Sequence, residues 1–166
     1  EFLAGGEPMD DYMEMLVEEL ALHGGDLRAP QWRRDELAPD RPFHVAIVGS
    51  GMSGIIAAYR LKQAGVDFTI FEKNDDVGGT WYENTYPGCR VDNPNHNYSY
   101  SFAQRHDWPF HFSTQDVLLD YFQRCAEAFH LRDAIRFETE VLNATWAEDA
   151  ATWTRTRCPF LAANTK

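Results

Sequence analysis

Residues 43–72, FHVAIVGSGMSGIIAAYRLKQAGVDFTIFE, decide the fold. FHVAIV is apolar and partly β-branched, the composition of a strand buried in a parallel sheet. Ile55, Ala58, Tyr59 and Leu61 then recur at helical spacing over 53–64, and Gly65 ends the run. DFTIFE, residues 67–72, is strand-like again. Strand, helix and strand within ~30 residues make a βαβ unit, whose crossover is expected to be right-handed. Between the first strand and the helix lies Gly49-x-Gly51-x-x-Gly54. In that setting the first glycine permits a tight turn and the second lets the backbone approach a pyrophosphate. The third lets the helix pack close to the sheet.

The N–H groups at the start of that helix are donors for phosphates, and Ser53 is placed to add a hydroxyl. Glu72 ends the second strand, 18 residues after Gly54. A carboxylate there accepts hydrogen bonds from ribose hydroxyls and repels a 2′-phosphate. The unit therefore calls for NAD or FAD. Val77-Gly78-Gly79-Thr80-Trp81 follows five residues after the acid. A pure NAD domain has no evident need for a second side-chain-free loop there. A flavin does, because its ribityl chain and ring run on past the pyrophosphate. The glycine pair resembles the motif that lines FAD in two-dinucleotide-binding flavoproteins, and FAD is the cofactor expected.

GGTWYENTYPGCRVD, followed by NYSYSF, narrows the resemblance. Together they are similar to the FAD domain of class B flavoprotein monooxygenases, specifically Baeyer–Villiger monooxygenases. The 4-hydroxyacetophenone monooxygenase type looks nearest, and the resemblance runs from about Phe43 to Arg157. It implies that Gly49, Gly51, Ser53, Gly54, Glu72, Gly79, Thr80, Trp81, Asp92, Tyr98 and Val141 serve FAD. Val141 would do so through backbone contacts to adenine. Asp92 is the catalytic candidate, near the flavin ring, and Arg90 lies on a segment that approaches the nicotinamide of NADPH. Trp81 and Tyr98 also fit a plain reading as core aromatics, and Asp92 fits a turn ahead of Asn93-Pro94.

The resemblance further implies a function: an NADPH- and O2-dependent conversion of ketones to esters or lactones through a C4a-peroxyflavin. A flavin-containing monooxygenase acting on nitrogen or sulfur, and a non-catalytic FAD-binding fragment, stay open beside it. The NADPH domain, the family's arginine and its downstream fingerprint are expected beyond Lys166. The opening on Glu1 reads as a piece of something longer. Turnover by these 166 residues alone is not expected.

Bulk properties set the limits. A hydrophobic content of 44% and an aromatic content of 14% are globular values. A net charge of −11 argues against a nucleic-acid surface or an anionic membrane. No apolar run approaches the ~20 residues of a membrane span. Cys89, Cys125 and Cys158 form neither a disulfide framework nor a CxxC pair, and a cytoplasmic location is the simplest reading. His96, His106 and His111 have no metal-ligand spacing, so no metal is expected. Oligomeric state is not legible.

Ahead of the βαβ unit, Met9, Met13, Leu16, Val17 and Leu20 share a helical stripe that Gly24-Gly25 stops. RAPQWRRDELAPDRP reads as a linker. Further on, YSYSF reads as a short strand. Ser113-Thr114 with Asp116 reads as the capped start of a second helix, whose apolar face runs from Val117 to Phe129. IRFETEV alternates as one strand, with Ile135, Phe137, Thr139 and Val141 on one side. A hairpin is expected around Glu148-Asp149. The whole is an α/β fold: a Rossmann-like FAD-binding domain with a parallel sheet and a small β-meander or hairpin. An N-terminal helix precedes it, and it is truncated at the C-terminal end. The segments are 1–42, helical extension and linker; 43–157, partial FAD-binding domain; and 158–166, irregular tail.

Overall fold

The structure, a computed structural model, describes residues 10–20, 22 and 24–159. Met9 and residues 160–166, most of the expected tail, lie outside them. The chain divides into two compact units. One comprises Glu1–Ala29 and Gly88–Thr114, the other Pro30–Pro87 and Gln115–Lys166.

The second unit holds the βαβ motif. Strand β1 (His44–Val48) leads into helix α3 (Met52–Gln63), which returns to β2 (Asp67–Phe71). β1 and β2 pair in parallel, His44 opposite Asp67 through Val48 opposite Phe71. A third parallel strand, β3 (Ile135–Arg136), pairs with β2, giving the order β1-β2-β3. Ile55 and Ala58 of α3 bury against this sheet, where Ile70 and Phe71 are the core residues of β2. Helix α5 (Gln115–Ala128) packs against α3 and buries Leu118, Tyr121, Phe122, Cys125 and Ala126 along one face. The Lys62 ammonium of α3 donates to the carbonyls of Phe129 (2.7 Å) and His130 (3.2 Å). That cation meets the negative end of α5 and ties the two helices together.

Three expectations for this unit are corrected. β1 is not buried on both faces: His44, Ala46 and Val48 are exposed, Val48 at 66%. Alternate side chains point to opposite faces of the sheet, and the face that carries these three is open to solvent. IRFETEV is not one strand. β3 ends at Arg136, Glu138 takes a left-handed φ of 50°, and β4 (Thr139–Ala147) starts a separate antiparallel pair with β5 (Thr152–Pro159). Alternation persists across the break because each half is strand-like, so the periodicity hides the bend. The hairpin turns at Glu148, as expected, with Ala151 N–H bonded to its carbonyl. β5 runs on through Cys158 to Pro159, so those two residues are strand, not irregular tail. Ahead of β1, residues 30–42 form one helical turn, α2 (Arg34–Leu37), anchored by Arg34 N–H to the Ala64 carbonyl at 2.8 Å.

In the first unit, α1 (Asp10–Glu19) half-buries Leu16 and Val17 and leaves Met13 exposed. Gln104 donates to the carbonyls of Glu19 (3.1 Å) and His96 (3.0 Å). YSYSF is not a strand. Tyr98 N–H turns back to Pro94 and Asn95, and Ser101–Ala103 is a 3-10 turn. The rings of Tyr100 and Phe102 stack at 5.2 Å within it. Ser113 lies two residues before the first residue of α5, so the helix begins where the Ser113-Thr114 pair places it. Ser113 is fully buried, its N–H donates to Asn95 Oδ1 (3.0 Å), and its hydroxyl accepts from Asn95 Nδ2 (2.7 Å). Asn95, itself fully buried, thereby closes the loop that carries Arg90 and Asp92.

Candidate functional site

The first glycine loop is held at both ends. Gly49 N–H donates to the Phe71 carbonyl at 2.8 Å, fastening the turn to β2. Gly51, the residue before α3, has an extended ψ of −171°, and the first intrahelical bond runs from Ile55 N–H to Gly51 O. The N–H groups of Met52, Ser53 and Gly54 precede that bond, as in any first helical turn. Gly54 has no room for a side chain: a Cβ would lie 2.0 Å from the Gly49 carbonyl oxygen. The third glycine is thus required by backbone meeting backbone, as its place in the motif indicated.

The second pair meets the first. A Cβ on Gly79 would lie 2.9 Å from Gly51 Cα, and one on Gly51 would lie 3.4 Å from Gly79 Cα. Gly78 N–H also donates to the Ser50 carbonyl at 3.2 Å. Gly78 and Gly79 both have positive φ, 133° and 54°, and a Cβ on Gly78 would strike Leu119. Two loops remote in the chain therefore meet backbone against backbone. Asp76 anchors the second one. Its Oδ1 accepts from Val77 N–H (2.7 Å) and Arg132 (2.9 Å), and its Oδ2 accepts from Gln123 (2.8 Å).

A cleft of about 260 Å³ opens beside this contact, lined by residues of both loops, Glu72, Lys73 and Glu83, and Thr139–Val141. Glu72 is 3% exposed. A buried carboxylate without donors would cost several kcal/mol, and here it has three. Ser50 N–H (2.6 Å) and the Ser50 hydroxyl (2.8 Å) both donate to Oε2, while Asn74 N–H (2.9 Å) donates to Oε1. On the exposed rim, Lys73 pairs with Glu83 at 2.8 Å. The hydrogen bond to Glu83 raises the lysine pKa, and the one from Lys73 lowers that of Glu83.

The predicted residues thus fall into two groups. Gly49, Gly51, Glu72, Gly79 and Val141 line the cleft, and Gly54 shapes its turn. Ser53 and Thr80 are exposed at the starts of α3 and of α4 (Thr80–Glu83), and Trp81 is buried at 7%. Arg90, Asp92 and Tyr98 belong to the other unit: Arg90 and Asp92 are exposed, and Tyr98 is half-buried. Arg90 forms an antiparallel bridge with Thr114. Sequence reasoning missed Ser50, Asn74, Lys73, Glu83, Thr139 and Glu140. Ser50 lies inside the glycine motif, but nothing in its spacing marks a contact with a carboxylate 22 residues away.

The donor set fits the adenosine diphosphate end of a dinucleotide. It combines a side-chain-free turn into a helix N-terminus with a buried acid and an exposed strand edge beside them.

Comparisons with known proteins agree with that geometry. Residues 47–125 match the family of NAD(P)-binding Rossmann-like domains. The chain is 39% identical over 150 residues to an uncharacterised monooxygenase of Sinorhizobium fredii, covering 90% of this chain and 22% of that protein. It is 44% identical over 110 residues to a Baeyer–Villiger monooxygenase of Streptomyces coelicolor, covering 66% of this chain and 21% of that one. Among solved structures, the OTEMO complex with FAD and NADP superimposes with a TM-score of 0.62 at 37% identity. That match covers 68% of this chain and 22% of the other. The chain spans about a fifth of the length of these relatives. It has a Rossmann-like fold, similar in sequence and structure to one segment of Baeyer–Villiger and FAD-binding monooxygenases.

Proposed function

We propose that the cleft holds the ADP portion of FAD. We further propose that the chain is the FAD-binding part of an NADPH- and O2-dependent monooxygenase converting ketones to esters or lactones. The observation that carries the reading is the Gly51–Gly79 contact beside a cleft that the buried Glu72 lines. Relatives named Baeyer–Villiger monooxygenase, and the OTEMO structure containing FAD and NADP, support the reaction class. Within that class the 4-hydroxyacetophenone monooxygenase type is proposed as nearest, on GGTWYENTYPGCRVD and on the helix preceding β1.

FAD, when bound, supplies the redox chemistry that uses NADPH and O2 to insert oxygen beside a carbonyl. The chain's own residues bind and orient. The N–H groups at the start of α3, with Ser53, hold the pyrophosphate against the helix dipole. Glu72 accepts from the adenosine ribose and would repel a 2′-phosphate. Val141, at the edge of β4, offers backbone groups to adenine. Gly79, Thr80 and Trp81 would serve the cofactor beyond its pyrophosphate. Arg90 and Asp92 are proposed as the nicotinamide- and flavin-orienting pair and Tyr98 as a further FAD contact. What supports the pair locally is the rigid setting of their loop by Val91 (N–H to Ser113 carbonyl, 3.0 Å) and Asn95. The test is the flavin released on denaturing the intact polypeptide that carries this chain. FAD is expected; FMN, which has no adenosine for Glu72 to hold, overturns the reading.

A further inference from the structure

We propose that Ser50 is a positioning residue: it fills one oxygen of Glu72, so that the carboxylate accepts a single ribose hydroxyl, through Oε1. The proposal rests on the reading of the cleft as an adenosine dinucleotide site. A carboxylate offers about four lone-pair positions, two on each oxygen. Ser50 takes both on Oε2, with its N–H at 2.6 Å and its hydroxyl at 2.8 Å. Asn74 N–H takes one on Oε1 at 2.9 Å. One position remains, on a side chain that lines the cleft.

Ser50 is held as firmly as the acid. It is 0% exposed, and its own carbonyl accepts from Gly78 N–H. Ser50 therefore links three parts of the site: its hydroxyl and N–H tie the first glycine loop to the acid that follows β2, and its carbonyl ties that loop to the second glycine pair. An alanine at 50 would keep the N–H bond but release the hydroxyl's position on Oε2. The carboxylate would then be free to rotate and to accept a second hydroxyl.

The experiment is calorimetric titration of the chain, and of Ser50→Ala, with ADP, 2′-deoxy-ADP and 3′-deoxy-ADP. For the unaltered chain, one deoxy analogue is expected to bind about tenfold or more weaker than ADP, the loss of one charge-assisted hydrogen bond. The other should bind as ADP does. In Ser50→Ala that asymmetry should collapse to within about twofold, a change that simple loosening of the fold, weakening all three ligands alike, would not produce. Equal losses for both analogues in the unaltered chain overturn the proposal without recourse to any variant. So does an asymmetry that Ser50→Ala preserves; both results leave the dinucleotide reading standing. Failure of ADP to bind, or indifference to either hydroxyl, overturns that reading and the proposal with it.

Discussion

Replacing Gly79 by alanine tests the contact on which the site depends. Gly79 holds φ 54° and ψ −119°, a region that residues with a Cβ avoid. Holding alanine there costs about 1–3 kcal/mol. Independently, the new methyl would sit 2.9 Å from Gly51 Cα and 3.5 Å from Gly51 N. Those are backbone atoms of the other glycine loop and cannot swing aside as a side chain does, so overpacking adds about 1–3 kcal/mol. The sum, about 2–6 kcal/mol, is a large part of the ~5–15 kcal/mol that stabilises a domain. For a chain of this size it corresponds to a fall in Tm of about 5–20 °C.

Urea unfolding followed by circular dichroism measures the difference, with two controls chosen from the same motif. Gly49 also has positive φ, 88°, but a Cβ there meets nothing within 4 Å, so Gly49→Ala isolates the conformational cost. Gly54→Ala isolates the collision, its Cβ lying 2.0 Å from the Gly49 carbonyl oxygen. Gly79→Ala should be more destabilising than Gly49→Ala by about 1–3 kcal/mol. Equal effects would show that the two loops do not press on each other, and the account of the second glycine pair would fall.

Glu72→Ala should weaken FAD binding by the intact polypeptide about ten- to a hundredfold, since hydrogen bonds to a charged acceptor contribute roughly 1.5–3 kcal/mol each; unchanged affinity in a titration would reduce Glu72 to a structural acid. Asp76→Ala should lower the urea midpoint by an amount equivalent to about 1–3 kcal/mol, because Val77 N–H, Arg132 and Gln123 lose their shared acceptor. Burial pushes the Cys125 thiol from 9.0 up to about 11, with a bond from Tyr121 opposing it. A folded pKa above the unfolded one stabilises fully below about pH 9 and loses that contribution as pH rises towards 11. Unfolding midpoints between pH 8 and pH 10.5 should therefore fall more for the unaltered chain than for Cys125→Ala.

The βαβ unit was legible because every signal for it is local: strand composition, helical spacing, and glycines at the turn between them. What was not legible depends on residues that meet only after folding. The alternation from Ile135 to Val141 is continuous in sequence, yet Glu138 turns the chain between two sheets. β1 has the composition of a doubly buried strand, but exposure depends on what packs over each face of the sheet, and the face carrying His44, Ala46 and Val48 is open.

The second glycine pair is the instructive case. Its sequence context suggested a ligand that needs bare backbone beyond the pyrophosphate. The structure adds a requirement that exists before any ligand arrives, because Gly79 must pass close to Gly51 for both loops to border one cleft. The two requirements reinforce each other. A loop cleared of side chains to touch another loop is also cleared for a bound dinucleotide, and the buried Ser50–Glu72 link at the same place holds the acid in register with both. Side-chain identity at these positions is constrained first by packing and then by binding, which is why spacing alone found the glycines and missed the serine between them.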